Sequence, residues 1–177
     1  MGVVQRVWVP SASVVLQERG ADFVAVVDGA NWSEGVGFYR GFFTAFRIRA
    51  GKQVWFHFPI PTPTEIRGEP MFLDQVSLLW ETLDDAAIGW VVLQHGGMER
   101  LPLTERLTVP ASEPAQFEPP EQWREYYPAS VRRLTNLPLR PRVPLQFGVQ
   151  LCVMVHAPDH DGTMRFYGAG AAFSDEA

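Results

Sequence analysis

Hydrophobic and polar positions alternate most regularly in one segment, Gln53–Pro63, around which we expect the rest of the chain to be arranged. Because side chains alternate across a strand, one face of it is predicted to enter a core. That face carries Val54, Phe56 and Phe58, and the opposite face carries Gln53, Trp55 and His57. Proline then recurs at every second position (Pro59, Pro61 and Pro63), which removes ladder donors and predicts that the strand stops at the rim of its sheet.

Similar patterns recur along the chain and are separated by glycine- and proline-rich turns. Val3–Val9 and Val14–Gln17 predict a first hairpin or bend, and Phe38–Arg49 is predicted to pair with the central strand through a tight turn at Gly51. The only predicted helix is short and spans residues 120–127. Further strands are predicted at Phe72–Thr82, Ile88–Gln94, Met98–Leu103, Leu145–His156 and Thr163–Phe173.

The pattern as a whole predicts an all-β protein. Many strands, closely spaced turns and almost no helix are typical of an antiparallel β-sandwich or jelly roll. A length of 177 residues fits one domain, 1–177, and 46% hydrophobic with 20% charged residues is ordinary for a globular protein.

The charge and the cysteine content restrict the classes of partner and the covalent links that the chain can have. The net charge is −5 and no basic run is present, which argues against nucleic acid and against an anionic membrane as partners. The single cysteine, Cys152, excludes an intrachain disulfide. No signal peptide and no apolar window long enough to span a bilayer is recognised, so the expected location is the cytoplasm.

Four segments together resemble an uncharacterised bacterial family of β-rich domains of unknown function. The distinctive one is the Trp-Phe-His-x-Pro-Ile-Pro-Thr-Pro motif, Trp55–Pro63; the others are Gly35–Gly41, Gln146–Leu151 and Gly168–Phe173. The resemblance implies a compact β-rich domain, and it brings with it no activity, cofactor or catalytic residue. The chain departs from that family's pattern around Glu113–Pro128, where the predicted helix lies.

No catalytic motif is found. The sequence has neither a Gly-x-Ser-x-Gly elbow nor a phosphate loop, and its four histidines lack the spacing of a zinc site. The turn Asp159–Gly162 begins like a calcium loop but lacks the later acidic ligand. Cys152 lies within an apolar strand, where a cysteine is usually inert. We therefore predict no catalytic residue, metal or cofactor, and lean towards a non-catalytic protein.

The more informative signal is a face of mixed character on the late strands. In Leu145–His156 the alternate positions that begin with Leu145, Phe147 and Val149 are all apolar and predict core. The other positions combine amides with Cys152, Met154 and a histidine, which is typical of neither a core nor an ordinary charged surface. The predicted ligand or partner face consists of Trp55, His57, Gln146, Gln150, His156, Arg165 and Tyr167.

Three functions are compatible with such a face. The first is a non-catalytic binding or assembly module that meets a protein partner or forms a homo-oligomer, because Trp, Tyr, Met and Arg are enriched at interfaces. The second is a carbohydrate-binding jelly roll, in which amides bond hydroxyls and aromatic rings stack on a sugar. The third is a small β-barrel enzyme or carrier with an apolar pocket, where His57 or His156 acts as acid or base. The residues favour the first.

Overall fold

The computed structural model describes residues 4–18, 20–25, 38–40, 43–104, 113–117, 121 and 130–175. These residues form strands, one short 3-10 turn (Ser11–Ser13) and connecting loops. The strands are β1 (Val4–Pro10), β2 (Val15–Leu16), β3 (Val24–Ala25), β4 (Phe38–Arg40), β5 (Thr44–Ile48), β6 (Lys52–Ile60), β7 (Glu65–Ile66), β8 (Glu69–Asp84), β9 (Ala87–His95), β10 (Glu99–Thr104), β11 (Glu113–Phe117), β12 (Ser130–Pro144), β13 (Val149–Ala157) and β14 (Gly162–Asp175).

The strands form two antiparallel sheets that pack face to face. The nine-stranded sheet has the order β11-β12-β8-β14-β5-β3, with β1 paired to β14, β4 to β5 and β7 to β8. The five-stranded sheet has the order β10-β9-β13-β6-β2. The predicted antiparallel β-sandwich is confirmed. The helix predicted at 120–127 lies outside the described residues, apart from Glu121.

The core lies between the two sheets, and β6 contributes to it from the five-stranded sheet. Phe56 and Phe58 are fully buried, while Trp55 and His57 face the other way and are half-buried. The Phe56 ring lies 4.9 Å from that of Phe166 in the opposite sheet, at an edge-on angle that aromatic pairs favour. The two faces predicted for β6 are therefore confirmed, and β6 ends at Ile60, where its proline run begins to remove donors.

The predicted pairing of Phe38–Arg49 with the central strand is wrong. The second half of that segment, β5, pairs with β14 in the nine-stranded sheet, whereas β6 pairs with β13 and β2 in the other. The Ala50–Gly51 turn thus crosses between sheets instead of closing a hairpin. Asp161 holds this crossing, since its carboxylate accepts the Ala50 N–H at 2.9 Å and pairs with Arg49 at 3.1 Å. The first two strands are likewise bent apart, with β1 and β2 in different sheets.

The late strand is also shorter than its hydrophobic pattern predicts. β13 begins at Val149, so Leu145–Gly148 form a bend in which Phe147 is 59% exposed, not core. The prediction fails because alternation has a fixed sense only while the backbone stays in a ladder. Here the Val149 N–H donates to the Thr62 hydroxyl at 3.0 Å, and the strand pairing starts from that point.

No helix among the described residues is long and apolar enough to cross a membrane.

Candidate functional site

A groove runs over the outer face of the five-stranded sheet, opposite the core. Its aromatic end is built by register: Met154 of β13 lies directly between Trp55 of β6 and Trp90 of β9. Those two strands are roughly 10 Å apart, at two strand spacings. The indole centroids are only 6.4 Å apart, so the rings lean towards each other above Met154, which is 7% exposed. Trp90 stays 51% exposed and offers its surface to solvent.

Side-chain amides form a polar row four residues further along β13 and β9. Gln150 of β13 lies opposite Gln94 of β9, which in turn lies opposite Arg100 of β10. The Gln150 Nε2 group donates to Gln94 Oε1 at 3.1 Å, which orients both amides. The hydrogen bond between Gln150 and Gln94 holds this row in place, and Gln94 and Arg100 line the groove.

His57 ties the polar row to the edge of the sheet. Its Nε2 lies 3.0 Å from Gln17 Oε1, and its Nδ1 lies 3.0 Å from Gln150 Nε2 and 3.2 Å from Cys152 Sγ. This pattern fits a neutral imidazole that donates through Nε2 and accepts at Nδ1. Burial lowers the pKa of His57 below 6.5; Glu18 opposes this shift, and the Arg100 charge adds to it. Because both ring nitrogens are bonded, the imidazole is a structural bridge and is poorly placed to act as a base.

Several polar groups in the groove remain available for a ligand. Within the described part of the chain, Gln150 Oε1, Gln94 Nε2 and the Arg100 guanidinium have no hydrogen-bond partner. The groove has a volume of about 370 Å³ and combines these groups with apolar surface. It is lined by Gln17, Trp55, His57, Trp90, Val92, Gln94, Arg100, Pro102, Thr104 and Cys152.

The structure does not bring the seven residues of the predicted face together. Trp55 and His57 line the groove, and Gln150 contacts His57 from β13. His156 lies on the same side of β13, opposite Gln53. Gln146 belongs to the exposed bend before β13. Their role in binding stays a prediction.

The placement of Arg165 and Tyr167 on that face is wrong, because their strand β14 belongs to the nine-stranded sheet. There the Glu81 carboxylate accepts from the Tyr167 hydroxyl at 2.9 Å and pairs with Arg165 at 3.3 Å. Arg132 stacks over the Tyr167 ring at 4.1 Å. Glu81 is only 7% exposed, so this is a buried ionic cluster. Sequence alternation identifies which residues share a strand face, but not which of two sheets the strand joins.

The groove residues that escaped prediction include Gln17, Trp90, Gln94 and Arg100. A signal for two of them exists in β9, where Trp90, Val92 and Gln94 alternate with the buried Val91 and Leu93. A bulge at Gly89 interrupts this alternation. Met154 pairs with Trp90, while the next residue of β13, Val155, pairs with Ile88. At Gly89 a Cβ would lie 2.5 Å from the Met154 methyl group, so glycine lets Met154 fit beneath the two tryptophans.

The residues that the structure describes offer little for metal or nucleophilic chemistry. No group of three or more histidine, cysteine or acidic side chains that could hold a metal ion occurs among them. Cys152 is 1% exposed, and burial raises the pKa of its thiol, against a smaller opposing effect of the Gln150 hydrogen bond.

No protein-family model and no curated protein matches the chain. Among solved structures it is similar to a mutant of CBM29-2, a family 29 carbohydrate-binding module (8% identity, 97% of this chain and 86% of that one, TM-score 0.44). Another mutant of the same module, complexed with cellulohexaose, has 10% identity, 91% and 92% coverage and a TM-score of 0.39. TmCBM61 in complex with β-1,4-galactotriose has 10% identity, 97% and 88% coverage and a TM-score of 0.38. These likenesses are too distant to assign a function to this chain.

Proposed function

We propose that this protein is a carbohydrate-binding module whose ligand lies in the groove of the five-stranded sheet. The observation that carries the proposal is that two contacting tryptophans, Trp55 and Trp90, and a row of oriented amides lie on the same face of one sheet. Sugars present apolar C–H faces and a rim of hydroxyls, so they call for this combination of surfaces.

Trp55 and Trp90 supply the stacking surface. Their mutual contact at 6.4 Å and their seat on Met154 fix both rings before any ligand arrives. Preorganised side chains lose little rotamer freedom on binding, which favours recognition by a small number of contacts. Trp90, at 51% exposure, is the ring most open to a ligand.

The amide row supplies hydroxyl recognition. Gln150 Oε1 accepts and Gln94 Nε2 donates, so adjacent hydroxyls of one sugar ring find complementary partners on adjacent strands, roughly 5 Å apart. Arg100 extends the donors to the edge of the groove, and the apolar Val92 and Pro102 lie between the amides and the tryptophans. This arrangement fits a neutral or weakly acidic sugar.

The test is affinity electrophoresis through gels that contain soluble β-glucan, galactan, glucomannan or xylan. At least one polysaccharide is expected to retard the wild type, with retardation lost in Trp90→Ala and in Gln94→Ala. Phe147→Ala is the matched control, because Phe147 is a similarly exposed aromatic outside the groove. Equal retardation of Trp90→Ala and the wild type would contradict the proposal.

Self-association through the same face is the second candidate function. Trp90 is 51% exposed, and Val15, which lies opposite His57 at the sheet edge, is 44% exposed, so this face presents two exposed apolar side chains. A dimer or larger homo-oligomer would be detected by light scattering across a concentration series. Dissociation of that assembly by Trp90→Ala, without any sugar-dependent retardation of the wild type, would favour this candidate over the first.

A further inference from the structure

A second groove lies on the outer face of the nine-stranded sheet, at the far side of the sandwich from the first. Its wall is Trp8 of β1, which pairs with Gly170 of β14. A Cβ at Gly170 would lie 2.3 Å from the indole Cε3, and one at Gly168 would lie 2.4 Å from the indole Nε1. The indole therefore lies along the β14 backbone at glycines, while 46% of Trp8 remains exposed.

An amide cluster faces Trp8 across the groove. The register places Trp8, Gly170, Ser77 and Asn136 in one row across four strands. Asn136 is thus roughly 10 Å, or two strand spacings, beyond the glycine on which the indole lies. Ser77 of β8 lies between that glycine and Asn136, and the groove has a volume of about 440 Å³.

The cluster is oriented by its own hydrogen bonds. Asn136 Oδ1 accepts from the Ser77 hydroxyl at 2.7 Å and from Gln75 Nε2 at 3.1 Å. Its Nδ2 donors and the Gln75 Oε1 acceptor consequently have no partner among the described residues. A donor and an acceptor held side by side suit neighbouring hydroxyls of a sugar ring.

The charge of the groove restricts the chemical class of the ligand further. Arg6 lies two residues before Trp8 on β1 and therefore on the same face of the sheet. It pairs with Ala172 of β14, and Ala172 pairs in turn with Gln75 of β8. It is the one charged residue in the lining that the structure describes, which otherwise consists of Val7, Trp8, Gln75, Ser77, Leu134, Asn136, Gly170, Ala171 and Ala172. Arg6 forms no ion pair with any carboxylate that the structure describes, so its guanidinium can pair with an anionic group, and its planar fork matches a carboxylate.

We infer that this groove is a second glycan-binding site, and that it takes a chain containing uronic acid. One sugar ring stacks on the exposed face of Trp8, the hydroxyls bond to Gln75 and Asn136, and a uronate carboxylate pairs with Arg6. The site is separate from the groove of Trp55 and Trp90, so the protein is bivalent when both are filled. Bivalent engagement of a polysaccharide raises the apparent affinity without any new contact.

The test follows the indole N–H signals in nitrogen-15 correlation spectra, with the Trp8 signal assigned by its loss in Trp8→Phe. The background is the double variant Trp55→Ala/Trp90→Ala, which removes the first site. The probes are trigalacturonate and the neutral galactose trisaccharide of the same linkage. Trigalacturonate is expected to shift the Trp8 signal with an affinity about tenfold higher than that of the neutral sugar, the difference a charge-assisted hydrogen bond typically supplies.

Two further variants separate recognition from folding. Asn136→Ala removes an exposed amide and is expected to weaken trigalacturonate binding, while Arg6→Gln is expected to abolish the preference for the acidic sugar. Phe147→Ala is the control and is expected to change neither. A Trp8 signal that moves with neither probe would overturn the inference, and so would equal affinities for both. Because the first site is absent from this background, either outcome leaves the function proposed for that site unaffected.

Discussion

The groove around Trp90 and the cluster around Glu81 lie on opposite outer faces of the sandwich and use the same kinds of side chain. In the Glu81 cluster, the carboxylate accepts from both the Tyr167 hydroxyl and Arg165, so the acidic group is paired out of solvent. At the groove, Gln94 accepts from Gln150, and the Gln94 Nε2 group, which lines the groove, has no partner among the described residues.

The difference distinguishes polar side chains that stabilise the fold from polar side chains that remain available to bind a ligand. Arginine, tyrosine and glutamine on a sheet face indicate a ligand site only when their hydrogen-bonding capacity is left over after the fold is made. Tyr167 is 8% exposed and fully engaged, whereas Trp90 and Gln94 line open space. We therefore expect substitutions in the cluster to affect stability and substitutions in the groove to affect binding.

The largest effect is expected on the core side of the groove's own strand. Phe56→Ala should lower the free energy of unfolding by roughly 3–5 kcal/mol, because it leaves a cavity between the sheets. Trp55→Ala, one residue away on the groove side, should cost clearly less. Urea denaturation of both variants measures the difference. Equal losses for the two would mean that the groove face is as much core as the inner face.

The next effect concerns the cluster itself. Glu81→Ala should destabilise the fold by roughly 3 kcal/mol, because Arg165 would lose its carboxylate partner in a mostly buried setting. Gln94→Ala should cost little, since it removes one amide from an open groove. Thermal unfolding by circular dichroism gives both values. A Gln94→Ala variant as unstable as Glu81→Ala would remove the distinction between the two faces.

A smaller effect is expected on lowering the pH. Because burial lowers the pKa of His57 in the folded protein, the unfolded chain binds a proton near pH 6.5 while the folded protein resists it. Stability should therefore be fully present above pH 6.5 and decline as the pH falls below it. His57→Gln should reduce that decline when urea midpoints are compared at pH 7.5 and pH 5.5. An unchanged decline in the variant would assign the pH dependence to other groups.

The smallest effect concerns thiol reactivity in the groove. Cys152 lines the groove but is 1% exposed, and its raised pKa keeps the thiol protonated at neutral pH. Labelling by a disulfide reagent should be slow in buffer and rapid in urea. Fast labelling of the folded protein would mean that the groove opens as far as its floor.

The alternation of hydrophobic and polar residues predicted the structure of individual strands. The alternation in Gln53–Pro63 predicted both faces of β6, and the strands predicted at Ile88–Gln94 and Met98–Leu103 are β9 and β10. The pattern could not predict which of the two sheets each strand joins. A turn such as Ala50–Gly51 either closes a hairpin or crosses between sheets, and contacts distant in sequence, such as that of Asp161, decide which. Hence Trp55 was predicted on the face that bears the groove, Trp90 and Gln94 were missed, and Tyr167 was put in the wrong sheet.

The most direct test of the central claim is calorimetric titration of an oligosaccharide of the retarding polysaccharide into the wild type, Trp90→Ala and Phe147→Ala. We predict that Trp90→Ala weakens binding by about tenfold or more, equivalent to roughly 1.4 kcal/mol, while its melting temperature stays close to that of the wild type. Phe147→Ala should bind as the wild type does. Undiminished affinity in a folded Trp90→Ala variant would contradict the assignment of this groove as the sugar site.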